Sequence, residues 1–149
     1  MPPQSIVGQQ LPGFTAVIER GPLRFFARTI GDLRPECHEI AAARAAGYPD
    51  LLVPPTYLFS LEMGRPDPYY ALGVLGASLS AALHAGETFT YYRPCFAGDR
   101  LDFELGITGY TEKREGRLGL LERTASVTRE GEPVAELVNV LAIRWDGAA

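Results

Sequence analysis

A chain of 149 residues, 46% hydrophobic and 21% charged, fits one domain spanning residues 1–149 that can bury a core without disulfides. Its formal net charge of −4 supplies no overall positive field for a nucleic-acid backbone, which argues against a general nucleic-acid binder. Residues 1–4 (MPPQ) lack the order of a signal peptide, residues 69–83 are too short a weakly polar stretch to span a bilayer, and Cys37 and Cys95 lack CxxC spacing; the expectation is a cytoplasmic protein with free thiols, no metal and no membrane partner.

The first element is a strand over residues 14–19 (FTAVIE), rich in β-branched and aromatic residues and bracketed by Gly13 and Gly21. Pro22 suits the first turn of a helix whose apolar face is Leu23, Phe25, Phe26 and Ile30, with Gly31 as its stop. Residues 32–38 (DLRPECH) read as a loop, because Pro35 has no N–H and biases Arg34 away from helical geometry. Residues 39–46 (EIAAARAA) are strong helix formers ended by Gly47.

Pro54-Pro55-Thr56 then opens a helix over residues 57–63, stopped by Gly64. Tyr57, Leu58, Phe59, Leu61 and Met63 cover nearly its whole circumference and Glu62 is its one charge, which predicts a buried helix. From Glu87 onward the pattern is that of strands. Residues 87–92 (ETFTYY) form one, and Leu101, Phe103, Leu105 and Ile107 alternate with Asp102, Glu104, Gly106 and Thr108 to form the next. Glu115-Gly116 turns into residues 117–128, and Glu130-Gly131-Glu132 turns into residues 133–145, an antiparallel meander. The fold class expected is α+β, an antiparallel sheet wrapped around one central helix at about residues 55–64.

Short matches in a fixed order carry a resemblance: Val17-Ile18-Glu19-Arg20-Gly21, Phe25-Phe26-Ala27, Ile30-Gly31-Asp32 and Ala41-Ala42-Ala43-Arg44-Ala45-Ala46-Gly47-Tyr48-Pro49. It continues through Val53-Pro54-Pro55-Thr56-Tyr57-Leu58, Leu83-His84, Phe89-Thr90-Tyr91-Tyr92-Arg93-Pro94 and Ala97-Gly98-Asp99. Over residues 8–144 the chain resembles the MaoC-like dehydratases. It is most similar to the branch of the fungal fatty-synthase dehydratase region and the mycobacterial 3-hydroxyacyl-ACP dehydratase subunits. The resemblance implies a hot-dog fold, working as a dimer of hot dogs, that adds or removes water at the 2,3 position of an acyl thioester to give or consume the R alcohol. The thioester, of coenzyme A or of an acyl-carrier protein, is the substrate, and no other cofactor is implied.

Hydration of an enoyl thioester needs a base for water, an acid for the α carbon and a donor at the thioester oxygen. Active members of the resembled family carry the first two on a loop reading Asp-x-Asn-Pro-x-His. Here Asp32-Leu33-Arg34-Pro35-Glu36-Cys37-His38 keeps the Asp and the Pro, with Arg34 in the Asn position and Cys37 in the His position. On one reading Asp32 and His38 converge on water in a rearranged loop; on another Asp32 caps the next segment and His38 is a hydrogen-bonded loop residue. A third makes Cys37 a nucleophile. The resemblance places the thioester-oxygen donor at the start of the central helix, where Pro54 and Pro55 supply no N–H and Thr56 or Tyr57 is left to donate. His84 is a further candidate for the ligand. Arg93, Arg100, Lys113, Arg114 and Arg117 are candidates for coenzyme phosphates, Arg93 being carried forward as a substrate-binding residue.

Three functions follow from these residues: an R-specific enoyl-thioester hydratase or 3-hydroxyacyl-thioester dehydratase, a non-catalytic substrate-binding hot-dog subunit of a heteromeric dehydratase, and a thioesterase using Glu62. The partner expected besides substrate is a second hot-dog subunit, as homodimer or heterodimer.

Overall fold

A computed structural model describes residues 6–145. One five-stranded antiparallel sheet runs in the order β1-β3-β4-β5-β2. Its strands are β1 (Gln10–Val17), β2 (Ala82–Tyr91), β3 (Arg100–Lys113), β4 (Leu118–Arg129) and β5 (Glu132–Arg144). Four helices lie between β1 and β2: α1 (Arg20–Thr29), α2 (Ile40–Ala45), α3 (Tyr57–Met63) and α4 (Tyr70–Leu75).

The meander forms where the alternation predicts it. Glu130 and Gly131, with φ of 53° and 80°, make a two-residue loop between the paired residues Arg129 and Glu132, the geometry that matches strand twist in a tight hairpin. Strands β1 and β2 then close the two flanks, β1 against β3 and β2 against β5. Residues in phase along the meander share its inner face: Leu101, Phe103, Leu105 and Ile107 on β3, Leu121, Ala125 and Val127 on β4, and Leu137 and Ile143 on β5, all buried.

Helix α3 lies on that inner face. Leu58 is fully buried in the core, Phe59 stacks on His84 of β2 at 5.2 Å, and Glu62 meets Arg123 of β4. Its bounds match the sequence expectation, but its burial does not follow the all-round apolar pattern. Tyr57, Leu58 and Glu62 are buried, whereas Phe59, Ser60, Leu61 and Met63 are half-buried. Beside Leu58, the side chain turned fully inward is the helix's one charge. Grooves on the flanks of α3 account for the half-buried apolar residues, because they remove neighbours from both sides of the helix.

Other boundaries moved for local reasons. β1 starts at Gln10, four residues before the expected strand, with a register shift between Leu11 and Phe14 where Gly13 passes close to the backbone of Phe103. α1 ends as predicted before Gly31, which takes a φ of 75° and lets the Asp32 N–H return to the carbonyl of Ala27. Residues 69–83 hold α4, capped by Gly76 at a φ of 67°, and a 3-10 turn over Leu79–Ala81. β2 begins at Ala82 rather than Glu87. Among the described residues no helix is long and apolar enough to cross a membrane.

Candidate functional site

Gly31 delivers the chain from α1 into the loop that carries Asp32 and His38. Within that loop the Asp32 carboxylate is occupied by its neighbour two residues on. Arg34 donates to it from Nε at 3.0 Å and from Nη2 at 2.7 Å, and the Arg34 main-chain N–H adds a bond of 3.2 Å. The Cys37 thiol lies 3.8 Å from the same carboxylate. The Arg34 hydrogen bonds hold the Asp32 carboxyl down at about 2, well below its ordinary value. Cys37 is fully buried, and burial pushes its thiol up, the opposite of what an activated nucleophile needs.

His38 turns back onto the loop's own main chain. Its Nε2 lies 2.6 Å from the Asp32 carbonyl oxygen, and a carbonyl only accepts, so Nε2 carries the proton and donates. The carbonyl of His38 in turn accepts from Arg24 Nε at 2.7 Å. The loop therefore brings Asp32 and His38 together through the main chain, while the Asp32 carboxylate faces a guanidinium. Since the folded-state acid constant of Asp32 is depressed, the clamp contributes its full stability above the unfolded value of 3.8 and loses it as pH falls toward about 2. Arg34 is half exposed, so the contribution is about 0.5–1 kcal/mol. In the Arg34→Leu variant the Asp32 carboxyl should titrate in the ordinary carboxylate range, read by carbon-13 NMR of its carboxyl carbon. A titration unmoved by the substitution would show that the clamp does not form in solution.

The start of α3 is built from Pro54 and Pro55, and the Tyr57 N–H is spent on the Pro54 carbonyl at 3.0 Å. Thr56 is exposed beside it. Tyr91 fastens this corner to β2 by donating from its hydroxyl to the Pro55 carbonyl at 2.5 Å. Tyr57 packs edge-on against Phe26 and borders a groove of about 810 Å³ between β1, α1 and α3, whose walls include Phe14, Val17, Phe25 and Leu61. Arg93 is held at the sheet rim by Glu132 at 3.0 Å and the Pro133 carbonyl at 3.2 Å. Arg117 turns its Nε to the Arg114 carbonyl. His84 stands apart from Thr56, Tyr57 and Arg93, on the inner face of β2.

Around His84 the structure assembles residues that the sequence reading did not single out as a group. Arg123 Nη2 lies 2.6 Å from Glu62 Oε2, with Glu62 fully buried and Arg123 only 4% exposed. Asn139, 3% exposed, donates to Glu87 Oε2 at 2.7 Å, and His84 Nε2 lies 3.3 Å from the same oxygen. Burial pushes the carboxyls of both Glu62 and Glu87 up, and among the described residues both carboxylate oxygens of Glu62 and the Oε1 of Glu87 lack a hydrogen-bond partner, the Arg123 contact being one of charge. A cavity of about 200 Å³ runs between α3, α4 and the sheet, with His84, Arg123 and Asn139 in its wall. The sequence does carry a signal for this cluster. Arg123 is in phase with Leu121, Ala125 and Val127, Asn139 with Leu137 and Leu141, and Glu87 with Phe89 and Tyr91. Among the described residues no cluster of three His, Cys, Asp or Glu side chains is placed to hold a metal.

The family described as FAS1-like, dehydratase domain region, matches residues 5–137. The chain belongs to that family. A relative from Saccharopolyspora erythraea, a UPF0336 protein, is 35% identical to it over 95% of this chain and 90% of its own. Among solved structures, a MaoC-like dehydratase is 25% identical with a TM-score of 0.81, covering 95% of this chain and 43% of that one. The C-terminally truncated HadBC (3R-hydroxyacyl-ACP dehydratase) complex of Mycobacterium tuberculosis has a TM-score of 0.73 at 24% identity, covering 89% of this chain and 92% of that chain. The FAS1-like dehydratase-region chain thus has the hot-dog fold that its sequence resembles, with α3 as the enclosed helix.

Proposed function

We propose that this chain is the acyl-thioester-binding subunit of a two-chain hydratase/dehydratase, with the acid–base pair supplied by a second hot-dog subunit. One observation carries the reading: the Asp32 carboxylate is committed to Arg34, next to a buried Cys37 in the position where active relatives have His. In hydration the water oxygen bonds to C3 and a proton is delivered to C2. A general base works best with an acid constant near the operating pH, and a carboxylate at about 2, already neutralised by a guanidinium, is a poor one. The His38 ring spends its Nε2 proton on a main-chain carbonyl, which leaves no imidazole paired to the Asp32 carboxylate. The dehydratase family of the chain supports the reaction class, and the similar HadBC (3R-hydroxyacyl-ACP dehydratase) complex supports a partnered arrangement. The groove beside Tyr57, walled mostly by apolar side chains, suits the acyl-pantetheine ligand.

The test is hydration of crotonyl-CoA, followed by loss of enoyl absorbance. The purified chain alone should show none, and mixing it with a hot-dog subunit whose loop has Asp, Asn, Pro and His in place should produce it. In that mixture Asp32→Asn and His38→Ala of this chain should leave the rate within about threefold. Turnover by the chain alone, abolished by either substitution, would instead establish it as a self-sufficient hydratase. Release of free thiol from the probe would point to thioesterase chemistry at Glu62.

A further inference from the structure

A subunit that only sheathed a hydrocarbon would be best served by an apolar wall. The cavity beneath α3 has one on most sides, with Phe59, Met63, Leu79 and Leu141, but its floor is Arg123 and Asn139 backed by two buried carboxylates. Burying such groups costs free energy that an apolar replacement avoids, so their presence calls for a polar counterpart. Their unused valences define it. Asn139 gives its N–H to Glu87, which leaves the carbonyl oxygen as an acceptor toward the cavity it lines. Arg123 meets Glu62 through Nη2 and keeps the rest of its fork for donation. His84, half exposed beside the exposed Leu83, stands at the mouth.

The charges select further. Arg123 in the cavity wall is paired with Glu62, and Glu87 sits behind His84 and Asn139, so the wall offers an entering anion no guanidinium free of a counter-charge. A hydroxyl both donates and accepts and carries no charge. The volume, about 200 Å³, holds about six or seven methylene-sized groups.

We infer that the cavity between α3 and the sheet is a subsite for a neutral hydroxyl group carried on the acyl chain away from the thioester. This rests on the acyl-thioester reading above and names the substrate class that reading leaves open. The hydroxyl accepts from Arg123 and donates to the Asn139 carbonyl oxygen. A plain chain in the same place leaves both groups without a partner, and discrimination of this kind is strong when polar groups are buried.

Calorimetric titration of the full chain with acyl-pantetheine thioesters of about six to twelve carbons tests it, because the pantetheine arm is common to coenzyme A and carrier protein. Three forms are compared at each length: plain, terminally hydroxylated and terminally carboxylated. The hydroxylated form should bind about tenfold more tightly than the plain one at some length, and the carboxylated form most weakly. Asn139→Leu should erase the preference. Since that variant strips Glu87 of a partner and can fail to fold, His84→Phe at the exposed mouth and the apolar pair Glu62→Met with Arg123→Met are measured beside it. The pair should bring the hydroxyl preference below about twofold while plain-chain affinity holds, and His84→Phe should reduce it about threefold. Equal binding of plain and hydroxylated forms at every length, as expected of a cavity that holds only water, overturns the subsite and leaves the acyl-thioester reading standing. Tighter binding of the carboxylated form overturns it too. Failure of every form to bind removes the acyl-thioester reading along with it.

Discussion

Replacing Arg34 with Asn and Cys37 with His in one chain is expected to give the isolated protein a crotonyl-CoA hydration activity at least a hundredfold above the parent. On the subunit reading proposed above, the parent loop lacks a working carboxylate–imidazole pair for two reasons. Arg34 supplies two guanidinium bonds that hold the Asp32 carboxyl at about 2, and a buried thiol occupies the place from which an imidazole would share the proton traffic. Removing the guanidinium returns Asp32 toward the ordinary carboxylate range, and a positioned imidazole contributes about 10²–10⁴ in rate as a general acid or base. Neither change alone should suffice, because Arg34→Asn leaves no imidazole and Cys37→His leaves the carboxylate clamped. The larger side chain enters a fully buried position, so the variant should also lose about 1–3 kcal/mol of stability, read by denaturant unfolding. A doubly substituted chain with native circular dichroism and no hydration would show that the loop chemistry is not what separates this chain from active relatives.

Glu62→Ala is expected to be the most destabilising single substitution at the polar floor, by about 3–5 kcal/mol in urea denaturation. The lost carboxylate leaves the Arg123 guanidinium 4% exposed and without its counter-charge. Substituting Met at both positions removes the charge and its partner together and should recover most of that loss, since a well-packed apolar pair often equals a buried ion pair. A cost below about 1 kcal/mol for Glu62→Ala would mean that the pair does not form in the folded protein. The contrast matters functionally: a stable Met pair would show that the ion pair is retained for something other than stability.

The strands of the meander and the central helix are written in residue periodicity. Leu101, Phe103, Leu105 and Ile107 announce β3, and the run from Tyr57 to the stop at Gly64 announces α3. The elements that the sequence hides are those whose residues obey no strong local preference. Ala82, Leu83, His84, Ala85 and Gly86 contain no β-branched side chain, and they become strand only because β5 offers an edge from Val140 to Ile143. Gly73 and Gly76 make residues 69–83 look broken, yet Gly73 lies inside α4 and Gly76 caps it. The Asp32 loop is legible as a motif with Arg34 and Cys37 at the changed positions; that Arg34 turns back on Asp32 depends on the fold of the loop, which the motif does not encode. The buried ion pair is the instructive case. Each member stands in the apolar phase of its own element, but joining Glu62 to Arg123 requires knowing that α3 crosses β4.

The sheet order also dictates when the parts meet. β3, β4 and β5 are joined by tight turns, so their contacts are local in sequence, whereas Gln10 must find Gly106 and Tyr91 must find Ala135 across long loops. Closing long loops costs entropy before any contact is gained, so the meander should assemble first and the flanking strands and α3 should dock late. Arg123 and Asn139 then wait on a preformed ribbon for Glu62 and Glu87 to arrive from elements that dock last. Loss of the ion pair should accordingly appear as faster unfolding with a nearly unchanged folding rate, the signature of an interaction made after the rate-limiting barrier.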